Sequence, residues 1–173
     1  MIRIQAVRAL VALFCLSLPS LADTITGRVV DVNGVGLPGI DIDATSLGSG
    51  GNPHLTNDGT DANGFFTATI DPGVYRIFFY APPPPTTTLL AGMLDNVVVV
   101  GTKDLGVIVL QPGVSLSGRT LDSAGLPLAL VKVVVSRDAT GASVPMKANT
   151  TNAFGNFAVA VPATALTVEL DPT

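Results

Sequence analysis

The phrase GRVVDVNG at residues 27–34 returns as GRTLDSAG at 118–125. Gly, Arg, Asp and Gly hold their places while the letters between them drift. A second pair follows in the same order, TDANGFF at 60–66 and TNAFGNF at 151–157. Gly27 and Gly118 are 91 positions apart, and so are Gly64 and Gly155. A period of that length is a whole domain and not a solenoid turn. The chain therefore has to build one fold twice.

The held letters have a local physical reason. Asp31 and Gly34, Asp61 and Gly64, Asp122 and Gly125, and Asn152 and Gly155 occupy the first and fourth places of four-residue stretches. An Asx side chain in the first place accepts hydrogen bonds from the amides ahead of it, and glycine eases the exit, as in a type I turn. Between these corners lie segments of strand length, at 24–31, 40–45, 65–70, 74–80, 97–100 and 105–110 in the first copy. The second copy offers 114–121, 131–136, 157–161 and 166–170. Alternation is plain in Phe66, Ala68 and Ile70, in Tyr75, Ile77 and Phe79, and in Leu166, Val168 and Leu170, which predicts that these side chains point inward. No amphipathic helical pattern follows residue 22. The expected class is all-β, as tandem antiparallel Greek-key β-sandwiches.

The N-terminal 22 residues read differently. Arg3 and Arg8 precede an apolar run over 9–18 and a small-residue site at Ser20-Leu21-Ala22, the pattern of a secretory signal peptide. Cys15 fills the apolar run and leaves with it, so the chain from Asp23 onward has no cysteine and no disulfide to lean on. Removing Arg3 and Arg8 from the nine basic residues leaves seven against thirteen acidic ones. That balance disfavours nucleic acid and anionic lipid as partners. Apolar residues make up 47% of the sequence, yet no run after the leader is long enough to span a bilayer. The expected location is secreted, periplasmic or cell-surface.

The Pro-rich run at 82–85 predicts a stiff, extended segment. It belongs to the first copy, because two strand segments lie between it and the second phrase. The expected units are a signal peptide at 1–22, a sandwich at 23–112 and a second, C-terminally truncated sandwich at 113–173. The second copy stops where the first has about thirty residues still to run, so the sequence reads as a fragment, with completion by a donated strand as the alternative.

The run from Gly27 to Ile42, G-x-V-x-D-x-x-G-x-G-L-P-G-I-x-I, with T-D-x-x-G-x-F at 60–66 and P-G-x-Y at 72–75, resembles the carboxypeptidase regulatory-like domain. That resemblance implies a transthyretin-like sandwich of about seven strands, related to the B-type repeats of collagen adhesin. It covers most of 23–112 and, less completely, 114–173, where Pro162-Ala163-Thr164-Ala165-Leu166 replaces P-G-x-Y. The resemblance implies an accessory or stalk role rather than catalysis. A zinc peptidase needs His and Glu ligands, and the chain after the leader offers one histidine, His54, and one glutamate, Glu169. Adhesin-type modules carry a Lys–Asn isopeptide bond from the first strand. Here those strands read ITGRVVD and LSGRTLD, without lysine.

Four candidate sites remain. Phe65, Arg76, Phe78 and Tyr80 are expected on the outside of the first sandwich, where the second has Asn156, Thr167, Glu169 and Asp171. Exposed aromatics stack on sugar rings or anchor a protein contact. Asp58, Asp61 and Asn63 crowd oxygen donors into one loop, as calcium requires, although EF-hand spacing fails and turn geometry explains Asp61 and Gly64 without a metal. His54 has no second histidine or cysteine beside it, and no nucleophile elbow is present. Glycine-rich SLGSGGN at 46–52 lacks the Lys of a phosphate loop.

The resulting expectation is a monomeric, non-catalytic structural or adhesive module without cofactor, meeting protein or polysaccharide at the cell envelope. Carbohydrate binding and an accessory portion of a larger secreted enzyme are the rival readings. Residues 23–112 should fold alone, whereas 113–173 alone buries too little surface. Thermal unfolding of the two segments checks this, with a cooperative transition expected only from the first.

Overall fold

The computed structural model describes residues 23–48, 53, 55–147 and 149–172. The expected leader at 1–22 with its Cys15, residues 49–52 of the glycine-rich loop, and His54 lie outside the described residues. Those described fold as strands and turns: β1 (Asp23–Val30), β2 (Asp41–Ser46), β3 (Phe65–Ile70), β4 (Gly73–Tyr80), β5 (Gly92–Val99), β6 (Thr102–Val109), β7 (Val114–Arg119), β8 (Lys132–Arg137), β9 (Asn156–Val161) and β10 (Leu166–Asp171). All ten strand segments read from the sequence are present, nine of them with shifted ends and β3 as read.

In the first sandwich β3, β1 and β6 form one sheet and β2, β4 and β5 the other. Their inner faces close on a core that includes Ile25, Ile42, Phe66, Ile77, Phe79 and Val99, all buried. Three details depart from the sequence reading. β6 runs parallel to β1, in an otherwise antiparallel body, because the short link at Val100 and Gly101 turns the chain back into the direction of β1 as it crosses between sheets. β5 starts at Gly92 rather than 97, and Asp95 and Asn96 form a bulge within it: Asn96 has φ 55° and the register against β4 shifts between Tyr75 and Ile77. The 82–85 run bends rather than extends, with the Thr86 amide donating to the Pro83 carbonyl at 3.1 Å.

The repeated phrases are now explained letter by letter. Asp31 Oδ1 accepts from the amides of Asn33 and Val35, both at 2.9 Å. Asp61, Asp122 and Asn152 each take the same two bonds from residues two and four ahead. The glycines in fourth place have φ of 80°, 81°, 81° and 74°, so each corner is a type I turn leaving through a left-handed residue, the G1 bulge that suits strand twist. Gly27 pairs with Phe66 across β1 and β3, and the ring lies over it so closely that a Cβ would meet Cζ at 2.8 Å. Gly118 meets the Phe157 ring in the same way at 2.7 Å. Arg28 Nε donates to the Asn63 carbonyl at 3.0 Å, and Arg119 Nε to the Phe154 carbonyl at 3.0 Å, so each arginine ties the opening strand of its copy to the second turn.

One repeated residue carries more than the sequence reading gave it. The Thr60 hydroxyl is buried, donates to the Leu37 carbonyl at 2.6 Å and accepts from the Ile40 amide at 2.9 Å. Thr151 does the same with Leu128 at 2.7 Å and Val131 at 3.0 Å. The P-G-x-Y motif is also structural: the Tyr75 hydroxyl turns back to donate to the Asp71 carbonyl at 2.8 Å, over a Gly73 that has no room for a Cβ.

The second sandwich has only β7 with β9 and β8 with β10. Among the described residues after 112 nothing corresponds to β5 or β6. Its buried core is Val133, Val135, Val144, Val159 and Val161, with Leu166 packed against it. The expectation that Val168 and Leu170 are buried fails: they are 42% and 46% exposed, where their counterparts Ile77 and Phe79 are 0% exposed. Alternation sets the side, but burial needs other strands packed over the face, and the described residues supply none there.

Thr60→Val should cost about 1–3 kcal/mol, because it leaves the Leu37 carbonyl and the Ile40 amide without their partner. Gly64→Ala should cost more than Gly34→Ala in urea unfolding. Both glycines sit at positive φ, but only at Gly64 does the new Cβ also meet backbone, Val29 O at 2.2 Å.

Candidate functional site

β4 alternates as expected. Tyr75, Ile77 and Phe79 are buried, and Arg76, Phe78 and Tyr80 emerge on the outer face of the β2–β4–β5 sheet. Register supplies their neighbours: Tyr80 lies opposite Asp41, and Phe78 lies between Asp43 on β2 and Met93 on β5. The Phe78 and Tyr80 rings stack with centroids 5.6 Å apart and planes 16° from parallel. Burial, then the charge of Asp43, raises the Tyr80 phenol above its ordinary pKa.

The bulge in β5 has a consequence at this face. It brings Asp95 to Arg76, whose Nε and Nη2 meet the two carboxylate oxygens at 3.2 and 2.9 Å. The forked pair holds Asp95 below the usual carboxylate range, through the Arg76 hydrogen bonds first, and raises Arg76. Asp95 was not foreseen, since only the bulge places it there.

Phe65 does not join this group. β3 belongs to the opposite sheet, so Phe65 projects from the far side of the sandwich, where the Arg28 guanidinium lies 5.0 Å from its ring centroid. The expected quartet is thus a trio, Arg76, Phe78 and Tyr80, and a separate Arg28–Phe65 contact. The physical reason is the step at Asp71 and Pro72, which carries the chain from one sheet to the other.

The trio forms one wall of an open groove of about 690 Å³. Lys132, Val134, Arg137 and Met146 of the second sandwich form the facing wall. Among the described residues neither Lys132 nor Arg137 has a carboxylate within ion-pair distance. On its other flank the stacked pair borders Asp43 and Asp58. Lys147 reaches across from the second sandwich to pair with Asp41, and its Nζ lies 3.6 Å from Asp43.

The expected calcium ligands are divided as well. Asp61 and Asn63 share one turn, where Asp61 Oδ1 already takes two amides and the Asn63 carbonyl takes Arg28. Asp58 instead faces Asp43. Burial, and then the negative charge of Asp58, raises the Asp43 carboxyl above its ordinary value. Among the described residues no group of three or more His, Cys, Asp or Glu side chains converges, and no helix is long and apolar enough to cross a membrane.

A raised carboxyl pKa means that the folded state holds the proton more tightly. The Asp43 contribution to stability is therefore complete below the ordinary carboxylate pKa and is lost as pH rises through the raised value. Asp58→Asn should lower the Asp43 titration midpoint followed by NMR, and Lys147→Gln should raise it.

No protein-family model matches the chain, and no curated protein matches it. Solved structures do. An ancillary pilin of Streptococcus is 15% identical over 90% of this chain, with a TM-score of 0.40, and the chain spans just over half of that pilin's length, 56%. The shaft pilin SpaA of Lactobacillus rhamnosus GG is 9% identical, with 88% of each chain covered and a TM-score of 0.34. A DUF3823 family protein of Parabacteroides merdae is 13% identical, covering 86% of this chain and 80% of that one, with a TM-score of 0.35. The sandwich assignment rests on the strands and cores described above.

Proposed function

We propose that this chain is a non-catalytic structural or adhesive interaction module of a secreted or cell-envelope protein, built from two carboxypeptidase regulatory-like sandwiches. One observation carries the reading. Recurring residues of the two copies are used for shape: Gly27 and Gly118 seat a ring, Arg28 and Arg119 tie the opening strand to a turn, Asp31 and its three counterparts close turns, and Thr60 and Thr151 satisfy buried backbone. A catalytic constellation leaves reactive groups aimed at a common point, and the repeated residues are instead consumed by the backbone around them. Protein or polysaccharide of the envelope is the partner class that suits an acidic, cysteine-free surface.

The stacked Phe78–Tyr80 pair favours carbohydrate as a second reading. A flat aromatic platform beside the Arg76–Asp95 fork offers both a stacking face and hydrogen-bonding groups to a sugar ring. A glycan array decides between the two readings. Binding that is lost in Phe78→Ala and Tyr80→Ala establishes the sugar reading, whereas no glycan binding leaves the structural one. Turnover of an ester, glycoside or peptide by the purified chain ends both.

A further inference from the structure

We infer that the groove between the stacked Phe78–Tyr80 pair and β8 binds a chain of acidic sugars, with sugar rings on the aromatic wall and their carboxylates on Lys132 and Arg137. The inference rests on the carbohydrate reading above and names its ligand class. Acidic residues outnumber basic ones in the sequence, thirteen to nine, yet the groove reverses that balance. Arg76, Lys132 and Arg137 all line it, and no carboxylate side chain does. Arg76 is already held by Asp95. Lys132 and Arg137 have no such partner among the described residues. The acids near them are placed elsewhere: Asp171 and Glu169 stand on β10, opposite Lys132 and Val134, and Asp138 accepts from the Thr167 hydroxyl at 2.8 Å. Two cations are thus left facing an aromatic wall.

The walls favour a sugar over an acidic polypeptide. An extended peptide gains its affinity by pairing with a free strand edge, and neither wall has one. β4 is paired with β2 on one edge and β5 on the other. β8 is paired with β10 on one edge, and the segment 142–150 covers the other. There the Val133 and Arg137 amides donate to the Asn149 and Ala142 carbonyls at 2.6 and 3.0 Å, and the Val144 amide donates to Val135 at 2.8 Å. The groove therefore offers ring faces and charged side chains but no backbone. A pyranose carboxylate uses both offers, by stacking on the rings and taking charge-assisted hydrogen bonds from the cations.

The spacing of the cations favours a chain over a single sugar. Lys132 begins β8 and Arg137 ends it. At ~3.3 Å per strand residue, five steps set their backbones about 16 Å apart. One monosaccharide cannot meet both, whereas an oligomer with a carboxylate on each ring can. The volume of about 690 Å³ lies within the range of ligand sites, and the groove is open, so a segment of a longer chain fits. On the far flank of the rings stand Asp43 and Asp58, which repel a polyanion and hold it to the cationic side.

Titration calorimetry of the purified chain with tetragalacturonate and with its full methyl ester tests this, because the two probes share their ring faces and differ in charge. Expected is the acid bound about fivefold or more tightly than the ester in low salt, with the gap closing in about 0.5 M salt. Lys132→Gln combined with Arg137→Gln should close the gap, and Phe78→Ala should weaken both probes alike, each with the thermal transition of the parent. Equal affinity of the parent chain for acid and ester overturns the inference and leaves the carbohydrate reading standing. Binding of neither probe ends both. Tetraglutamate bound as tightly as tetragalacturonate, and unaffected by Phe78→Ala, also overturns it, by making the groove a site for acidic peptides.

Discussion

At one pole of the first sandwich the backbones of two turns touch without side chains between them. A Cβ on Gly36 would lie 2.0 Å from the Asn63 carbonyl oxygen, and one on Gly64 would lie 2.2 Å from that of Val29. The Val29 amide donates to Gly64 at 2.7 Å across this contact. Peptide groups brought so close are shielded from water and need partners nearby. Asp31, Asp61, Thr60 and Arg28 supply them, and the strands on either side inherit their register from the joined turns. The second sandwich keeps this pole almost bond for bond, with Gly155 against Thr120 O at 2.4 Å.

Identical corners do not guarantee equal bodies. Fully burying a large aliphatic or aromatic side chain is worth about 1.5–3 kcal/mol, and the first sandwich collects that at Ile77 and Phe79. The second collects less of it at Val168 and Leu170, because among the described residues no strand lies over them. Its hydrogen-bonded frame at the pole matches that of the first sandwich, while its burial does not. Local closure and core closure are separate requirements, and the repeated phrases satisfy only the first.

The outer face of the first sandwich shows how a fold converts spare positions into a surface. Once Tyr75, Ile77 and Phe79 are committed inward, Arg76, Phe78 and Tyr80 have no choice of side. Their character then depends on what pairing brings alongside: Asp41 and Asp43 from β2, Met93 and the bulged Asp95 from β5. The Arg76–Asp95 pair is exposed, so it contributes little to stability, but its forked geometry fixes the guanidinium beside the stacked rings. Acid lies on one flank of those rings, and Lys132 and Arg137, without an ion pair among the described residues, lie across the groove on the other.

The repeat period, the four Asx–Gly corners, all ten strands and the inward face of β4 could be read from the sequence, because each depends on residues within a few positions of one another and on a two-residue period. Phe65 was grouped with the β4 trio because both alternate outward. Which sheet an outward face belongs to is a matter of pairing partners far apart in the chain, and that placed Phe65 on the opposite side. The bulge that delivers Asp95 to Arg76, the Lys147 reach to Asp41, the parallel run of β6 and the exposure of Leu170 were equally hidden. Each is a long-range contact, or the lack of one, and no local pattern encodes it. The sequence by itself determined where the chain turns and which side chains share a face; only the tertiary structure decided which faces meet, because burial is a property of what packs opposite and not of the strand that presents it.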